Sequence, residues 1–263
     1  MLKYVKLPLA FDPAGLQADL RQIAPDQWQA HFNSRYYEGD WSGVSLRALG
    51  GNAAQLYPDP TAKEFADTPL LARCANLQQA LAAFHCPTQS VRLLKVGPGS
   101  RILEHKDYNL SLEDGEIRLH VPVTTNPEVE FFVDGGRVDM QAGECWYVNF
   151  NLPHRVANLG ATSRIHLVMD CVVNDWLRAL IPDAGDAPEA IFDNPSSPEN
   201  FERFRQLVLT DVELQAKFRL QADKQAFARL VVQLGGERGY DFSVTDVDNA
   251  LQESRRAWFQ QQS

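Results

Sequence analysis

The chain has 263 residues, of which 44% are hydrophobic and 22% are charged, and its net charge at pH 7 is −9. This composition indicates an ordinary globular protein with one large domain, or a medium domain and a small companion. The acidic balance and the absence of a Lys/Arg stripe argue against a nucleic-acid partner. Because no segment resembles a membrane span or a secretory signal, we expect a cytoplasmic protein without a membrane partner.

The N-terminal part alternates strand and helix patterns. YVKLPLAF and VSLRAL predict strands, AGLQADLRQI has the spacing of a helix, and Thr68-Pro69 is predicted to open a further helix, LLARCANLQQALAAF. From residue 89 onward, short runs rich in Val, Ile and aromatic residues recur between Gly/Pro turns, which is typical of an antiparallel sandwich or barrel. Within that part, VEFFVDGGRVDM predicts a hairpin at its Asp-Gly-Gly turn.

The strand pattern stops near residue 175. NDWLRALI predicts a short helix, and residues 181–196 have the Pro, Asp and Ser content of a linker. Four helical patterns follow, beginning with SPENFERFRQLVL, so residues 197–263 are predicted to form a small helical bundle. We therefore divide the chain into a β domain with N-terminal helices at 1–180, a linker at 181–196 and a helical domain at 197–263.

The stretch EHKDYN carries a candidate metal site. On a strand, residues two apart face the same side, so His105 and Asp107 are predicted to point together while Lys106 points away. An imidazole and a carboxylate are two of the three ligands of the 2-His-1-carboxylate triad, which leaves positions on a ferrous ion open. A charged turn between strands would have the same six residues, so this pattern alone is weak.

A second group of residues strengthens the metal hypothesis. His154 follows the predicted strand CWYVNF, and Arg164 comes ten residues later inside the apolar run RIHLVMDCVV. A buried arginine is costly unless it meets an anion, and a bidentate guanidinium suits the distal carboxylate of 2-oxoglutarate. Arg118 and His120 are again two residues apart and share a face, although Arg118 also fits an ordinary ion-paired residue.

In this order, the motifs resemble the aspartyl/asparaginyl beta-hydroxylase family and the related bacterial proline hydroxylases, over about residues 88–175. The matching residues are Pro98-Gly99, Ile102, His105, Asp107, Arg118, His120, Gly143-Glu144, Trp146, His154, Arg164 and Asp170.

The resemblance implies a mainly β fold with helices: a double-stranded β-helix of the jelly-roll or cupin-like kind, followed by the C-terminal helical bundle. It implies that His105, Asp107 and His154 bind iron(II) and form the catalytic centre. Arg164 would hold the cosubstrate 2-oxoglutarate, with Arg118 and His120 helping. Vertebrate members have a glycine where this chain has Asp107, which places it nearer the bacterial branch that acts on small substrates.

The expected function is an iron(II)- and 2-oxoglutarate-dependent dioxygenase that uses O2 to hydroxylate an amino acid, or an Asp, Asn or Pro residue of a peptide. Arg92, Arg35 and Trp41 are candidates for contacting the substrate. The aromatic residues of the N-terminal part fit wall packing equally well, and His85 and His166 fit satisfied core residues. One alternative is a non-catalytic metal-binding cupin-like barrel that acts as a scaffold through its helical tail, and another is a cupin-type metalloenzyme without a keto-acid cosubstrate.

The C-terminal segment resembles the small nitrogen-fixation-type helical domain, which also occurs as a leader-peptide module. The matching residues are Phe201, Leu207, Asp211, Leu214, Phe227, Leu230, Gly239-Tyr240, Phe242-Ser243 and Val247. The resemblance implies a docking or stabilising appendage, and hence a protein partner for this domain.

Overall fold

The computed structural model describes residues 2–56, 64–181, 197–219, 221, 223–236, 238, 240 and 242–251. The chain divides into two compact units, Met1–Ala190 and Ile191–Ser263. Apart from Ile181, the predicted linker at 181–196 lies outside the described residues, as does the end of the last predicted helix. Among the residues described, no helix combines the length and the apolar character needed to cross a bilayer.

Thirteen strands and three α-helices build the described part of the first unit. The strands are β1 Tyr4–Ala10, β2 Gln29–Ala30, β3 Tyr37–Glu38, β4 Trp41–Leu49, β5 Phe65–Asp67, β6 Thr88–Val96, β7 Arg101–His105, β8 Glu116–Thr124, β9 Val129–Val133, β10 Gly136–Arg137, β11 Glu144–Val148, β12 His154–Asn158 and β13 Arg164–Val172. The helices are α1 Pro13–Leu20, α2 Ala75–Ala82 and α3 Asp175–Leu180.

The strands form two antiparallel sheets. The major sheet has the order β1-β11-β8-β13-β6-β4-β2, with β5 paired to β4, and the minor sheet has the order β10-β9-β12-β7-β3. The mainly β fold of jelly-roll class that the sequence predicted is confirmed. Apart from the β9–β10 pair, most neighbouring strands in the two sheets are distant in sequence, so loops at the strand ends can bring distant residues to one site.

The alternation of side chains along the central strands separates an apolar face from a polar face. Odd positions of β13, from Ile165 to Cys171, belong to a buried core that also contains Leu16, Leu77 and Leu177 of the three helices. Even positions of the same strand include the polar residues Arg164, His166 and Asp170. Because successive side chains point to opposite faces, the helices cover one face of the major sheet and the polar side chains lie on the other.

The predicted hairpin is confirmed at its turn. Strands β9 and β10 pair with Val133 opposite Gly136, so only Asp134 and Gly135 form the loop. Both have a positive φ, 49° and 77°, as a two-residue hairpin turn matched to strand twist requires.

The helix predicted to open at Thr68-Pro69 begins later. A single 3-10 turn spans Leu71–Arg73, and α2 starts at Ala75. The Thr68 hydroxyl donates to the Ser45 carbonyl at 2.9 Å, and the Thr68 amide donates to the Leu46 carbonyl. Thr68 is therefore bound to β4, where it cannot cap a helix.

All four cysteines are free, and three of them are buried, as the absence of a CxxC pair predicts.

The second unit is helical in its described part. Its helices are α4 Ser197–Thr210, α5 Val212–Arg219 and α6 Lys224–Gly236, and residues 244–251 are also helical. Phe204, Leu214, Val231, Tyr240 and Phe242 form a separate buried core. The first helical turn of residues 244–251 is preceded by Ser243, whose amide and hydroxyl both bond to the Asp246 carboxylate.

Candidate metal centre and active site

Two histidines from neighbouring strands of the minor sheet meet at one end of the barrel. His105 is the last residue of β7, and His154 is the first residue of β12. The two are direct cross-strand partners, and their ring centroids lie 4.3 Å apart. Antiparallel pairing therefore joins residues that are 49 positions apart in the sequence.

Asp107 completes the cluster from the loop that follows β7. Its amide donates to the Phe150 carbonyl at 2.9 Å, which holds this loop against the one that precedes β12. One ligand atom each from His105, Asp107 and His154 lies within 4.8 Å of the others. The predicted pairing of His105 with Asp107 is present, but β7 ends at His105, so the strand period does not account for the position of Asp107.

Hydrogen bonds fix which ring nitrogen each histidine offers. Nδ1 of His105 lies 2.8 Å from the Leu103 carbonyl, and Nδ1 of His154 lies 3.0 Å from the Leu152 carbonyl. A carbonyl oxygen only accepts, so both Nδ1 atoms carry the proton and donate. Both Nε2 lone pairs are therefore available to a metal ion, which is the usual way in which a second hydrogen bond orients a histidine ligand.

The charge states of the cluster suit a divalent ion. Burial lowers the pKa of His154 to about 4, and repulsion between the two neighbouring rings acts in the same direction, so the His154 ring is neutral at pH 7. Burial acts to raise the pKa of Asp107, but Arg118 and the two histidines outweigh it and hold that pKa below 3.8. Two imidazole Nε2 atoms and one carboxylate are the donor set of the facial triad, so these residues fit iron(II).

A buried network of arginines and aspartates lies on the polar face of the major sheet. Nε of Arg118 lies 2.6 Å from Asp170 Oδ1, and Nη1 of Arg118 bonds to Asp107 Oδ2. Nη2 of Arg92 lies 3.0 Å from Asp170 Oδ2, and Arg92 also donates to Ser90 Oγ at 2.5 Å. Asp170 of β13 therefore joins two arginines on β6 and β8, the strands on either side of β13.

Arg118 is thus an ion-paired residue in this structure. Three of its N–H groups are directed at the carboxylates of Asp170 and Asp107, and Asp107 belongs to the metal cluster. This contact orients Asp107. The expected help of Arg118 in binding 2-oxoglutarate stays a prediction that would use its remaining donors.

Arg164 differs because no carboxylate pairs with it in the described part of the chain. Its residue is only 3% exposed, its Nη2 donates to His166 Nδ1 at 2.8 Å, and its Nε has no partner there. Burial lowers the pKa of Arg164 to about 9, which still leaves the guanidinium charged at pH 7. A buried cation without an anion indicates that a ligand supplies the negative charge.

One cavity of about 750 Å³ contains all these groups. Its lining includes the three metal-cluster residues together with Arg92, Arg118, His120, Arg164 and Asp170. Aromatic residues surround its mouth, and Phe32 and Tyr108 are 74% and 80% exposed. Trp41 is part of the lining and stacks on His31 with ring centroids 3.6 Å apart.

Arg35 is the predicted site residue that the structure keeps away from the cavity. It is exposed within a 3-10 turn, Ser34–Tyr36, and its neighbour Tyr36 lines the cavity in its place.

Two buried residues had no predicted chemical role: Asp170, which lines this cavity, and His166, which lies beside Arg164. Asp170 was part of the matching motif, and His166 was assigned to the core. Both lie at even positions of β13, His166 two residues and Asp170 six residues after Arg164, and so share the face of Arg164. That alternation was visible in the sequence, but their partners come from β6 and β8 and were not.

Comparison with known proteins gives a family match for each part of the chain. The sequence profile described as Aspartyl/Asparaginyl beta-hydroxylase matches residues 14–173, and the Nif11 domain profile matches residues 197–247. L-proline cis-4-hydroxylase of Rhizobium meliloti is 30% identical over 166 residues, which are 61% of this chain and 57% of that protein. The match therefore spans little more than half the length of that relative.

Solved structures with a similar fold include an oxygenase and a hydroxylase. A 2OG-Fe(II) oxygenase family oxidoreductase from Burkholderia pseudomallei has a TM-score of 0.44 and 14% identity, covering 64% of this chain and 85% of that one. A Pseudomonas putida prolyl-4-hydroxylase has a TM-score of 0.43 and 11% identity, covering 66% and 94%. Because the family profile extends over more than half of the chain, this protein belongs to the aspartyl/asparaginyl beta-hydroxylase family.

Proposed function

We propose that the protein is an iron(II)- and 2-oxoglutarate-dependent dioxygenase that hydroxylates a free amino acid. The observation that carries the proposal is one cavity that holds both a His-Asp-His cluster and a buried arginine lacking an anion. The overall reaction would convert substrate, 2-oxoglutarate and O2 into hydroxylated substrate, succinate and CO2. Family membership and the similarity to a proline hydroxylase support the same activity.

His105, Asp107 and His154 would hold the ferrous ion through two Nε2 atoms and a carboxylate oxygen. When bound, iron(II) with 2-oxoglutarate supplies the activation of O2 for insertion of oxygen into a C–H bond. The role of the chain is positional. The Leu103 and Leu152 carbonyls orient the rings, and Arg118 keeps Asp107 ionised and directed into the cluster.

Arg164 would bind the distal carboxylate of 2-oxoglutarate. Its Nε is buried without a partner, and a guanidinium bonds a carboxylate with two parallel N–H groups. The surrounding apolar residues, including Phe131 and Val156, limit water near this pair. Such exclusion strengthens the ion pair and protects the reaction from water.

The charge balance supports a substrate with one carboxylate. Arg92, Arg118 and Arg164 bring three positive charges, against the two carboxylates of Asp107 and Asp170. A ferrous ion adds two positive charges and 2-oxoglutarate adds two negative ones, so one positive charge is left for a further anion. This sum covers the metal cluster and the arginine network. Of the cavity's other charged residues, Lys106 and Asp114 are exposed and screened by solvent, and the half-buried Glu116 accepts a hydrogen bond from Gln89 at 2.7 Å.

The substrate carboxylate would bind at Arg92. This residue is 2% exposed, and its Nε lacks a partner in the described protein although its other nitrogens bond to Asp170 and Ser90. Trp41 would then form an aromatic wall for the body of the substrate. A free carboxylate favours an amino acid over an internal residue of a peptide.

The test measures 2-oxoglutarate binding and succinate formation by the whole protein with ferrous iron and ascorbate. Arg164→Met should weaken 2-oxoglutarate binding by roughly tenfold to a hundredfold, the value of one or two charge-assisted hydrogen bonds, while metal affinity is kept. Arg137→Met is the matched control, because Arg137 pairs with Asp139 at 2.8 Å and lies outside this cavity. Absence of metal-dependent 2-oxoglutarate binding by the unchanged protein would reject the proposal.

A protein that binds the metal but forms no succinate from 2-oxoglutarate would instead fit the non-catalytic barrel. The docking role of the C-terminal helices stays a prediction, supported by the match to the Nif11 domain.

A further inference from the structure

Two buried histidines share one hydrogen-bonding centre beside Arg164. His166 is 2% exposed, and its Nδ1 lies 2.8 Å from Arg164 Nη2 and 3.2 Å from His120 Nδ1. His120 is also buried and lines the cavity of the metal cluster. Two side chains, Arg164 of β13 and His120 of the adjacent strand β8, thus converge on one nitrogen atom of His166.

The chemistry of the guanidinium determines where the protons lie. An arginine N–H can only donate, so Nδ1 of His166 must be the acceptor, and the ring proton of His166 is on Nε2. His120 Nδ1 faces the same lone pair and must therefore carry a proton itself. Burial and the charge of Arg164 lower the pKa of both rings well below 6.5, so neither takes a second proton at pH 7.

The Nε2 atom of His120 is consequently a bare acceptor. It is buried and has no hydrogen-bond partner among the described residues. An unsatisfied buried acceptor is unfavourable, and a ligand with an N–H or O–H group removes this cost by donating to it. At neutral pH 2-oxoglutarate offers only acceptor oxygens, so it cannot meet this need.

We propose that His166 is a positioning residue that holds His120 in the Nδ1–H tautomer, so that His120 Nε2 accepts a hydrogen bond from the amino group of the substrate. The inference rests on the proposed function, since it takes the substrate to be an amino acid. The proposal assigns His120 to binding the substrate, whereas the family resemblance assigned it to binding 2-oxoglutarate. An amino acid would then be recognised through both of its backbone groups, the carboxylate by Arg92 and the amino group by His120.

The tautomer is measured first, in the full-length protein without metal or ligand. Long-range ¹H–¹⁵N NMR of protein labelled at its six histidines distinguishes the two ring nitrogens, and His120→Gln assigns the His120 signals. We expect the proton on Nδ1 of His120 and on Nε2 of His166. A His120 ring protonated at Nε2, or at both nitrogens, would overturn the proposal.

Two variants separate positioning from packing. His166→Leu removes the acceptor, so the His120 tautomer should reverse or become mixed. His166→Asn places an amide oxygen near the original Nδ1 position and should restore the Nδ1–H form. An unchanged His120 tautomer in His166→Leu contradicts the role of His166, and if that variant does not fold, the unchanged protein and His166→Asn still decide.

The substrate half is tested with two acids of similar shape, L-proline and cyclopentanecarboxylate, which lacks the ring nitrogen. Calorimetry uses protein loaded with zinc in place of iron and with 2-oxoglutarate. The unchanged protein should bind L-proline at least tenfold more tightly, and this ratio should fall below about threefold in His166→Leu and return in His166→Asn.

Equal affinities for the two acids in the unchanged protein, or the same ratio in His166→Leu, would overturn the recognition of the amino group. Failure of both acids to bind would reject the role of Nε2 in substrate binding, although NMR would still decide the tautomer. Failure of 2-oxoglutarate to bind is a separate result, and it counts against the proposed function itself.

Discussion

At the scale of single residues, buried ion pairs hold the charged side chains around Asp107 and Asp170 in place. Asp107 is oriented by Arg118, and Asp170 keeps Arg118 and Arg92 in place from the strand between them. Removing one member of such a buried network leaves another charge uncompensated, which costs far more than a surface ion pair. A substitution in this network therefore changes metal binding without unfolding the protein only where the charged group left behind keeps a second partner.

Asp107→Ala meets that condition, because Arg118 keeps its bonds to Asp170. We expect the variant to fold and to bind ferrous iron at least tenfold more weakly, since one of three ligands and the only anionic one is lost. Anaerobic calorimetric titration measures this affinity. Asp114→Ala is the control, because Asp114 lines the same cavity but bonds to Ser111 and Asn151. Unchanged iron affinity in Asp107→Ala would remove Asp107 from the ligand set.

At the scale of elements, turns determine which strands pair. Gly143 precedes β11 with a φ of 84°, its amide donates to the Pro122 carbonyl, and its carbonyl accepts from the Phe11 amide. The turn thereby joins β11 both to β8 and to the end of β1. A Cβ added at Gly143 would lie 2.3 Å from the Phe11 carbonyl oxygen.

Gly143→Ala should therefore be more destabilising than Gly115→Ala. Gly115 has the same φ of 84°, but a Cβ there meets nothing within 4 Å, so only the left-handed backbone opposes it. We expect a loss of about 1–2 kcal/mol for Gly115→Ala and roughly 3 kcal/mol or more for Gly143→Ala. Urea unfolding of both variants gives the comparison, and equal losses would mean that the turn moves away from Phe11.

At the scale of the whole molecule, buried neutral histidines make stability depend on pH. The pKa values of His31 and His154 are lowered to about 4 by burial, and those of His120 and His166 are lowered well below 6.5. The unfolded chain takes up protons near pH 6.5, whereas the folded chain does not. Stability is therefore complete above pH 6.5 and is lost as the pH falls toward 4.

For the metal-free protein, His154 alone should contribute a loss of about 2 kcal/mol between pH 7 and pH 5. Urea unfolding at several pH values measures the slope. His154→Gln should flatten the dependence of the unfolding free energy on pH. His85→Gln is the matched control, because it replaces a ring that packs on Trp176, and it should leave the slope unchanged. The same slope in His154→Gln as in the unchanged protein would show that His154 is not the group responsible.

The two units lead to a second prediction at this scale. Buried apolar clusters of the described residues fall within either one unit or the other. We expect a fragment of residues 1–190 to fold and to bind iron with the affinity of the whole chain. Circular dichroism and metal titration test this, and an unfolded fragment would show that the first unit depends on the second.

The sequence predicted the elements that follow local rules. The Asp-Gly turn of the β9–β10 hairpin, the strands of the β region and the short helix after residue 174 follow from turn chemistry and periodicity. The start of α2 was wrong because Thr68 bonds to β4, a contact that local spacing does not reveal. Local spacing also does not show which side chain of a short turn faces a cavity: Arg35 is exposed, whereas the adjacent Tyr36 lines the cavity.

By itself, the sequence determined which residues can do the chemistry: two histidines, an aspartate and an arginine in an order that resembles one family. Only the tertiary structure decided how they meet. Cross-strand pairing brings His105 to His154, and the Phe150 carbonyl places Asp107 after its strand has ended. The tautomer of His120 was also beyond the sequence, because it depends on His166 and Arg164. These two residues lie on β13, and the strand order of the sheet, not nearness in the chain, places β13 beside the strand that carries His120.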